Sequence, residues 1–443
     1  MIKMHIFEDT IFALSSGRLP SGIAVIRISG SRTRFVVETI CGSLTEPRLT
    51  KLSSFKSSDG DLIDRGLVVF FPAPHSFTGE DCAEFHLHGG KAVVDAMITA
   101  LYGFDGCRMA EAGEFSRRAY ANGKFDLTAA EGLADLIAAE TDSQRRLALQ
   151  ISSGAQAQLY SGWRSELIRA RALIEAELDF ADESDVPGSV SDLVWEQMAD
   201  LAGRITKHVG DGKRGAIVRD GYRVVIIGAP NAGKSSLLNI LAGSDVAIVS
   251  DEPGTTRDLI EIKLDLSGIT VLITDTAGIR NTTGAVEMMG IERALDRAHS
   301  ADLILSVTDL SDPIPLDDVP LTKNVLRIGT KADLVTESEI GEYDLVISTR
   351  TNAGVDALLR LLSQKAEAAA GDISDPLPTR RRHMELLNEA SIELRAAIED
   401  IAAPLEVRAE YLRRASYSLG RITGDVDVED ILDVVFSQFC IGK

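Results

Sequence analysis

Gly228-Ala-Pro-Asn-Ala-Gly233-Lys234-Ser235 decides how this chain reads. The octapeptide has the spacing G-x-x-x-x-G-K-[ST]. It stands between an apolar, strand-like run at 223–227 and a helical run at 236–241, the context in which that spacing makes a phosphate-binding loop. Glycines allow backbone N–H groups to approach phosphate oxygens, and the N-terminus of the following helix adds positive potential. Lys234 is of the type and spacing that reaches β- and γ-phosphates, and the Ser235 hydroxyl is placed to ligate Mg²⁺. Asn231, Ala232, Gly233 and Ser236 complete the expected phosphate contacts. A merely structural glycine-rich turn would need neither the lysine nor the serine.

Downstream motifs select the nucleotide. Asp275-Thr276-Ala277-Gly278 ends an apolar strand, which puts a carboxylate near the metal and a glycine near the γ-phosphate. Thr330-Lys331-Ala332-Asp333 follows another strand. Its Asp333 can accept hydrogen bonds from the N1–H and 2-amino group of guanine, a donor pair that adenine lacks. Ser348-Thr349-Arg350 follows the next strand as a further guanine-loop element. In this order the motifs predict a GTPase of the translation-factor-related class. Apolar runs at 223–227, 269–275, 302–308, 324–329 and 343–348 alternate with helical stretches, the rhythm of a mostly parallel α/β sheet. Ile279 occupies the position after Gly278, and an apolar side chain cannot orient water, so hydrolysis must draw on another group. Asn231 and the segment 254–258 suggest K⁺ held beside the phosphates, where it would offset developing charge. Glu287, opening a helical stretch, could orient water. Loop hydrogen bonding alone is the other reading of Asn231, and a solvated acid at a helix N-terminus that of Glu287.

Outward from this segment, residues 1–125 read as a mixed α+β domain, with β-rich runs at 22–28, 66–71 and 83–88 and a helical pattern at 91–102. Residues 126–215 and 376–443 read as one discontinuous all-α domain, with a P-loop domain, 216–375, inserted into it and GDISDPLP (371–378) as a linker. Thr128 and Glu131 suggest a capping box. Leu159, Trp163, Leu167, Ala170, Ile174 and Leu178 recur at helical spacing as one apolar face. In 443 residues, 45% apolar composition supports large cores, and a net charge of −21 excludes a fold-wide basic surface, so any nucleic acid must bind locally. Four scattered cysteines without a C-x-x-C pair suit a reducing cytosol. No apolar run approaches the ~18 residues of a membrane span, and the N-terminus lacks a signal-peptide pattern.

Three further stretches carry a resemblance: DTIFAL…GIAVIRISG with SFTGEDCAEFHLHGG and AGEFSRRAYANGKFDL near the N-terminus, and GRITGDVDVEDILDVVFSQFCIGK at the C-terminus. With the GTPase motifs, they make the whole chain similar to the MnmE (TrmE) family of tRNA-modifying GTPases. The resemblance implies a folate-binding N-terminal domain and a homodimer working with the FAD-carrying flavoprotein MnmG in a heterotetramer or larger complex. It implies K⁺-stimulated GTP hydrolysis. It further implies transfer of an aminomethyl or carboxymethylaminomethyl group to C5 of the wobble uridine of certain tRNAs, with carbon from a tetrahydrofolate derivative. On the same basis Glu287 is the catalytic glutamate. Asn231, Ser250, Glu252 and Thr255 surround K⁺, with Asp251 in the same nucleotide-contacting loop, and Thr256 joins Ser235 on Mg²⁺. Arg27, Glu84, Lys124 and Lys443 contact folate. Thr330 departs from the family's usual asparagine.

Other signals are bland. His86 and His88 share a strand face without ligand partners at zinc spacing. The last four residues fit a prenylation tetrapeptide only superficially. Cys440 sits where the family carries a cysteine, and a structural thiol is its plainer reading. Arg380–Arg382 and Arg413–Arg414 read as solvated helix charge or as part of a tRNA-facing patch. Two other functions fit less well: a ribosome-assembly switch GTPase, which would need an appended RNA-binding fold, and a folate-dependent transferase only regulated by GTP.

Overall fold

The computed structural model describes residues 7–179, 190–248, 261–275, 301–314, 324–336, 342–426, 429–437 and 439–442. They form two compact units, Met1–Ala134 with Ile151–Val194 and Ala396–Lys443, and Asp135–Gln150 with Trp195–Arg395.

The first unit contains a six-stranded sheet of β1 (Thr10–Leu14), β2 (Ser21–Ser29), β3 (Lys51–Lys56), β4 (Leu62–Phe71), β5 (Cys82–Gly89) and β6 (Cys107–Met109), in the order β3-β4-β5-β2-β1-β6. All neighbours are antiparallel except β1 and β6. Alternation along β2 sends Ala24, Ile26 and Ile28 into a core with Phe55, Val68, Phe70 and Phe85, which the helix Lys91–Tyr102 closes with Val94, Met97 and Leu101. Arg27 lies between two of those positions and so faces the other side, in register with Glu84 of β5. The three β-rich runs and the 91–102 helix fall in these elements. Strands β1, β3 and β6 and the helix Thr33–Cys41 were not foreseen.

The helix Leu127–Ala138 corrects the expected capping box. Asp126 Oδ1 accepts from Thr128 N at 2.7 Å, Ala129 N at 3.1 Å and Thr128 Oγ1 at 2.6 Å. A carboxylate at the end of the helix satisfies its orphan N–H groups better than a hydroxyl inside it, and Thr128 and Glu131 are buried instead. The helix Ala155–Asp179 packs on Leu405–Thr423 and buries Tyr160, Trp163, Leu167, Ala170 and Ile174, while Leu159 and Leu178 are half-buried. Phe436 and Phe439 near the C-terminus join Leu127 and Ala130 in a cluster, and Tyr120 Oη donates to Gly424 O at 2.8 Å.

The second unit contains β7 (Tyr222–Gly228), β8 (Ala247–Ile248), β9 (Glu261–Leu266), β10 (Ile269–Asp275), β11 (Leu303–Asp309), β12 (Val325–Thr330) and β13 (Leu345–Val346). Their order is β13-β12-β11-β7-β10-β9-β8. The five predicted strands are β7 and β10–β13, all mutually parallel, while β9 runs antiparallel to β8 and β10. Chain order reverses about β7, and the carboxyl ends of β7, β10, β11, β12 and β13 lie along one edge, the place where doubly wound sheets bind ligands. The 371–378 segment has no regular structure, yet Leu377 is buried, so this connection is packed.

Candidate functional site

Four of the predicted elements converge on the carboxyl edge of the second sheet. Gly228 ends β7 so close to β11 that a Cβ there would stand 2.4 Å from Val307 O. The loop then turns through Asn231 at φ 63° and Gly233 at φ 91°. Left-handed backbone at both positions curls the chain around its own N–H groups, the concavity that suits an anion. The helix Lys234–Ala242 begins immediately after, and Ser236 lies in its first turn. Lys234 is buried, and its Nζ donates to Gly228 O and Ala229 O at 2.7 Å each, which holds the ammonium over the loop.

Ser235 Oγ donates to Asp275 Oδ2 at 2.9 Å, and Asp275 is fully buried at the end of β10. A hydroxyl and a buried carboxylate side by side beneath a phosphate loop make an all-oxygen donor set of the kind Mg²⁺ takes, which Asp275 can complete through a bound water. These two residues therefore fit the metal that the loop sequence implies.

The loop expected to read the base is built across β12 and β13. Thr330 Oγ1 donates to Ala232 O at 2.7 Å, which ties this loop to the phosphate loop. Lys331 adopts left-handed backbone (φ 59°), and Ala332 N donates to Ile347 O at 3.2 Å. Ser348 Oγ donates to Asp333 Oδ1 at 2.6 Å, and Arg350 Nη1 stands 3.9 Å from Oδ2. The Ser348 hydrogen bond, with a backbone N–H bond and, least, the Arg350 charge, holds the Asp333 carboxyl below its ordinary range and keeps it an acceptor. Thr349 lies in the adjoining turn. Ser250, Asp251, Glu252, Thr255, Thr256, Thr276, Ala277, Gly278, Glu287 and Lys443 fall outside the described residues.

In the first unit, Arg27 Nε and Nη2 donate to Glu84 Oε1 at 3.1 and 2.9 Å, and the guanidinium lies over the Phe77 ring at 5.2 Å. Phe77 contacts Phe125, the neighbour of Lys124, whose Nζ donates to Pro74 O at 2.9 Å. Arg27 and Glu84 are thus one ion pair, and Lys124 is linked to it only through the chain, next to Phe125. Among the described residues no group of three or more His, Cys, Asp or Glu could hold a metal; His88 Nδ1 instead meets Asp64 at 2.9 Å. Arg380 pairs with Asp135, Arg381 with Glu385, and Arg413 and Arg414 with Glu410. No described helix is long and apolar enough to cross a membrane.

Sequence reasoning missed Asp309, which ends β11 at the same edge and pairs with Lys331. An acid closing an apolar strand, as Asp275 does, was the available signal.

The sheet order with these loops defines a P-loop nucleotide-binding protein of the GTPase class. Two family profiles match the chain: "GTP-binding protein TrmE N-terminus" over residues 10–124 and "MnmE helical domain" over 127–440. The tRNA modification GTPase MnmE of Brucella canis is 63% identical over 443 residues, covering all of both chains, and that of Brucella anthropi is 60% identical over the same span. Among solved structures, Aquifex aeolicus Era is 23% identical, with a TM-score of 0.27, over 39% of this chain and 66% of its own. The chain belongs to the tRNA modification GTPase MnmE family and is a GTPase.

Proposed function

We propose that this chain is a cytoplasmic, homodimeric, K⁺-stimulated GTPase that acts with the flavoprotein MnmG on tRNA. Together they add an aminomethyl or carboxymethylaminomethyl group to C5 of the wobble uridine. The observation that carries the reading is the convergence of Lys234, Ser235, Asp275 and Asp333 on one sheet edge, in a chain matched end to end by relatives named as tRNA modification GTPases.

In this reading residues 1–125 bind the folate donor, 126–215 and 376–443 form the helical domain, and 216–375 form the G domain. Asn231, Ala232, Gly233, Lys234 and Ser236 cradle the phosphates. Ser235 and Thr256 hold Mg²⁺, whose charge screens the β- and γ-phosphate oxygens. Asn231, Ser250, Glu252 and Thr255 hold K⁺, Glu287 orients the attacking water, and Asp333 reads guanine. In the N-terminal domain, the Arg27–Glu84 pair offers both a cation for folate's glutamyl carboxylates and a carboxylate for pterin N–H donors. Lys124 and Lys443 add further cations. FAD resides on the partner protein.

The test is mass spectrometry of wobble nucleosides from cells lacking the gene, complemented with wild type or with Lys234→Ala. Loss of the modified uridine in the deletion, restored by wild type only, is the expected result. Unchanged nucleosides in the deletion would refute the reading, and a folate transferase merely regulated by GTP would modify tRNA with Lys234→Ala.

A further inference from the structure

We infer that Asp309 is a positioning residue for guanine recognition, acting through Lys331. The inference rests on the reading of Asp333 as the base-selecting carboxylate. It extends that reading to a residue on the neighbouring strand, outside the motif.

Asp309 closes β11, directly opposite Thr330 in the parallel register with β12. Leu310 N donates to Thr330 O at 3.1 Å, so the ends of the two strands are stitched together where the base-reading loop begins. The Asp309 carboxylate is fixed on both of its oxygens. Oδ1 accepts from Ser311 N at 2.9 Å and from Ser311 Oγ at 2.6 Å. Oδ2 accepts from Lys331 Nζ, a charge-assisted contact. Burial acts against the ionised form of Asp309, but the bonds from Lys331 and Ser311 outweigh it and hold the carboxyl below its usual range.

The consequence falls on Lys331. Its backbone is left-handed, so the chain turns sharply there before Asp333. A lysine side chain has several rotatable bonds and, left to itself, samples many rotamers. Anchoring its ammonium on Asp309 removes most of that freedom before a nucleotide arrives. The four-carbon stem of Lys331, two residues ahead of Asp333 in the chain, is then laid out toward Asp309 at the end of β11. Such a stem offers the flat face of a purine an ordered apolar surface at no further entropic cost. Asp309 touches neither the base nor the phosphates in this scheme. It sets where Lys331 lies.

Two consequences separate this role from a scaffold role. Stacking on the stem is indifferent to which groups the purine edge carries, so loss of Asp309 should weaken GTP, GDP and inosine triphosphate alike. Preference for GTP over inosine triphosphate, which lacks the 2-amino group, depends on Asp333 and should persist. The effect of Asp309 should also require Lys331.

The experiment is equilibrium binding of GTP, GDP and inosine triphosphate to the full-length chain, with single-turnover hydrolysis at saturating GTP. The variants are Asp309→Asn, Lys331→Met and the double variant. Asp309→Asn keeps an acceptor for Ser311 and removes the charge. We expect it to weaken all three nucleotides about tenfold, the worth of one charge-assisted hydrogen bond, with the GTP-to-inosine-triphosphate ratio and saturating rate retained. In the Lys331→Met background, adding Asp309→Asn should change affinity less than twofold. Wild-type affinity in Asp309→Asn overturns the inference, and so does full additivity of the two substitutions. A collapsed GTP-to-inosine-triphosphate ratio also overturns it, since it would mean that Asp309 holds up the whole loop. If wild type itself fails to prefer GTP over inosine triphosphate, the guanine reading of Asp333 fails first, a distinct outcome.

Discussion

Thr330 Oγ1 stands 2.7 Å from the carbonyl of Ala232, so a single hydroxyl joins the loop that would read the base to the loop that would hold the phosphates. Thr330 is fully buried and leans also on Thr308 O at 3.1 Å. Gly233 lies against it, and a Cβ there would meet Oγ1 at an ordinary contact distance of 3.4 Å, so it is the left-handed backbone that calls for glycine. The threonine that departs from the family's usual asparagine therefore has a definite partner. Thr330→Val keeps the branched shape and deletes the donor, leaving the Ala232 carbonyl without this bond. A buried acceptor that loses its partner costs about 1–3 kcal/mol. We expect GTP and GDP affinities, measured by calorimetry, to fall together by about tenfold. Unchanged affinity for both would mean that the tether contributes nothing to binding.

The nucleotide edge was legible because its chemistry is local in sequence. Residues 228–235, Asp275 and the 330–333 loop each carry their meaning within a few positions of a strand end. Asp309 carried only the general signal of an acid closing an apolar strand; its pairing with Lys331 was not legible, because the partner lies 22 residues on and only the β11–β12 register brings the two together. Strand β9 was missed for a different reason. Glu261, Lys263 and Asp265 break its apolar signal, and its place depends on pairing with β10. The cap of the helix at 127 was misread because Thr128 and Glu131 fit one pattern while Asp126, a stronger acceptor, already stood ahead of them. Arg118 lies in Glu114–Ala121, which reads as an ordinary charged helix; its burial depends on Asp9, 109 residues earlier.

That buried arginine gives a stability prediction. Arg118 is fully buried and donates to Asp9 Oδ1 at 2.7 Å, Glu114 Oε1 at 2.9 Å and Glu80 Oε1 at 3.3 Å. Arg118→Met should cost about 3 kcal/mol of unfolding free energy at pH 7, the lower end for a broken buried ion pair because Asp9 remains partly exposed. Burial alone would raise Asp9 and Glu114, but hydrogen bonds from Arg118 and Arg108 hold both below their ordinary values. A carboxyl depressed in the folded state stabilises above its unfolded pKa, and that contribution fades as pH falls through the folded value. Glu80 runs the other way, raised first of all by burial. Without Arg118 the three carboxyls should take up protons more readily when folded. The variant's deficit in denaturant titrations should therefore shrink from pH 7 to about pH 4.5. An equal deficit at both pH values would show that lost packing dominates.

Potassium selectivity can be tested at Asn231 without disturbing the backbone. Asn231 sits at φ 63°, a conformation that alanine resists and glycine accepts. Asn231→Gly thus removes the side-chain oxygen and keeps the loop. We expect wild type to hydrolyse GTP faster in K⁺ than in Na⁺ at equal ionic strength. Asn231→Gly should hydrolyse equally in both while retaining GTP affinity within about threefold, because the loop N–H groups remain in place. Equal wild-type rates in the two salts would sink the mechanism, and a K⁺ advantage retained by Asn231→Gly would remove Asn231 from it.

The last prediction concerns the water. Strand β10 delivers Asp275 into the site, and the sequence then runs Thr-Ala-Gly-Ile, so the residue after Gly278 is an isoleucine with no acceptor for a water proton. Another group must orient the nucleophile, and Glu287 is the acid that the family resemblance offers. A carboxylate with that role acts on water in the transition state and adds little to ground-state phosphate binding. Glu287→Ala should therefore bind GTP and GDP like wild type. It should lose single-turnover hydrolysis by about 10²–10⁴-fold, the worth of a positioned acid–base group. Glu287→Gln, which keeps the shape and loses the basic oxygen, should recover less than about a tenth of the lost rate. Both quantities are to be measured on the same preparation. A near-normal rate in Glu287→Ala removes the residue from the mechanism. A rate lost in proportion to affinity would mean that the substitution damages binding, and the water would then need a different partner.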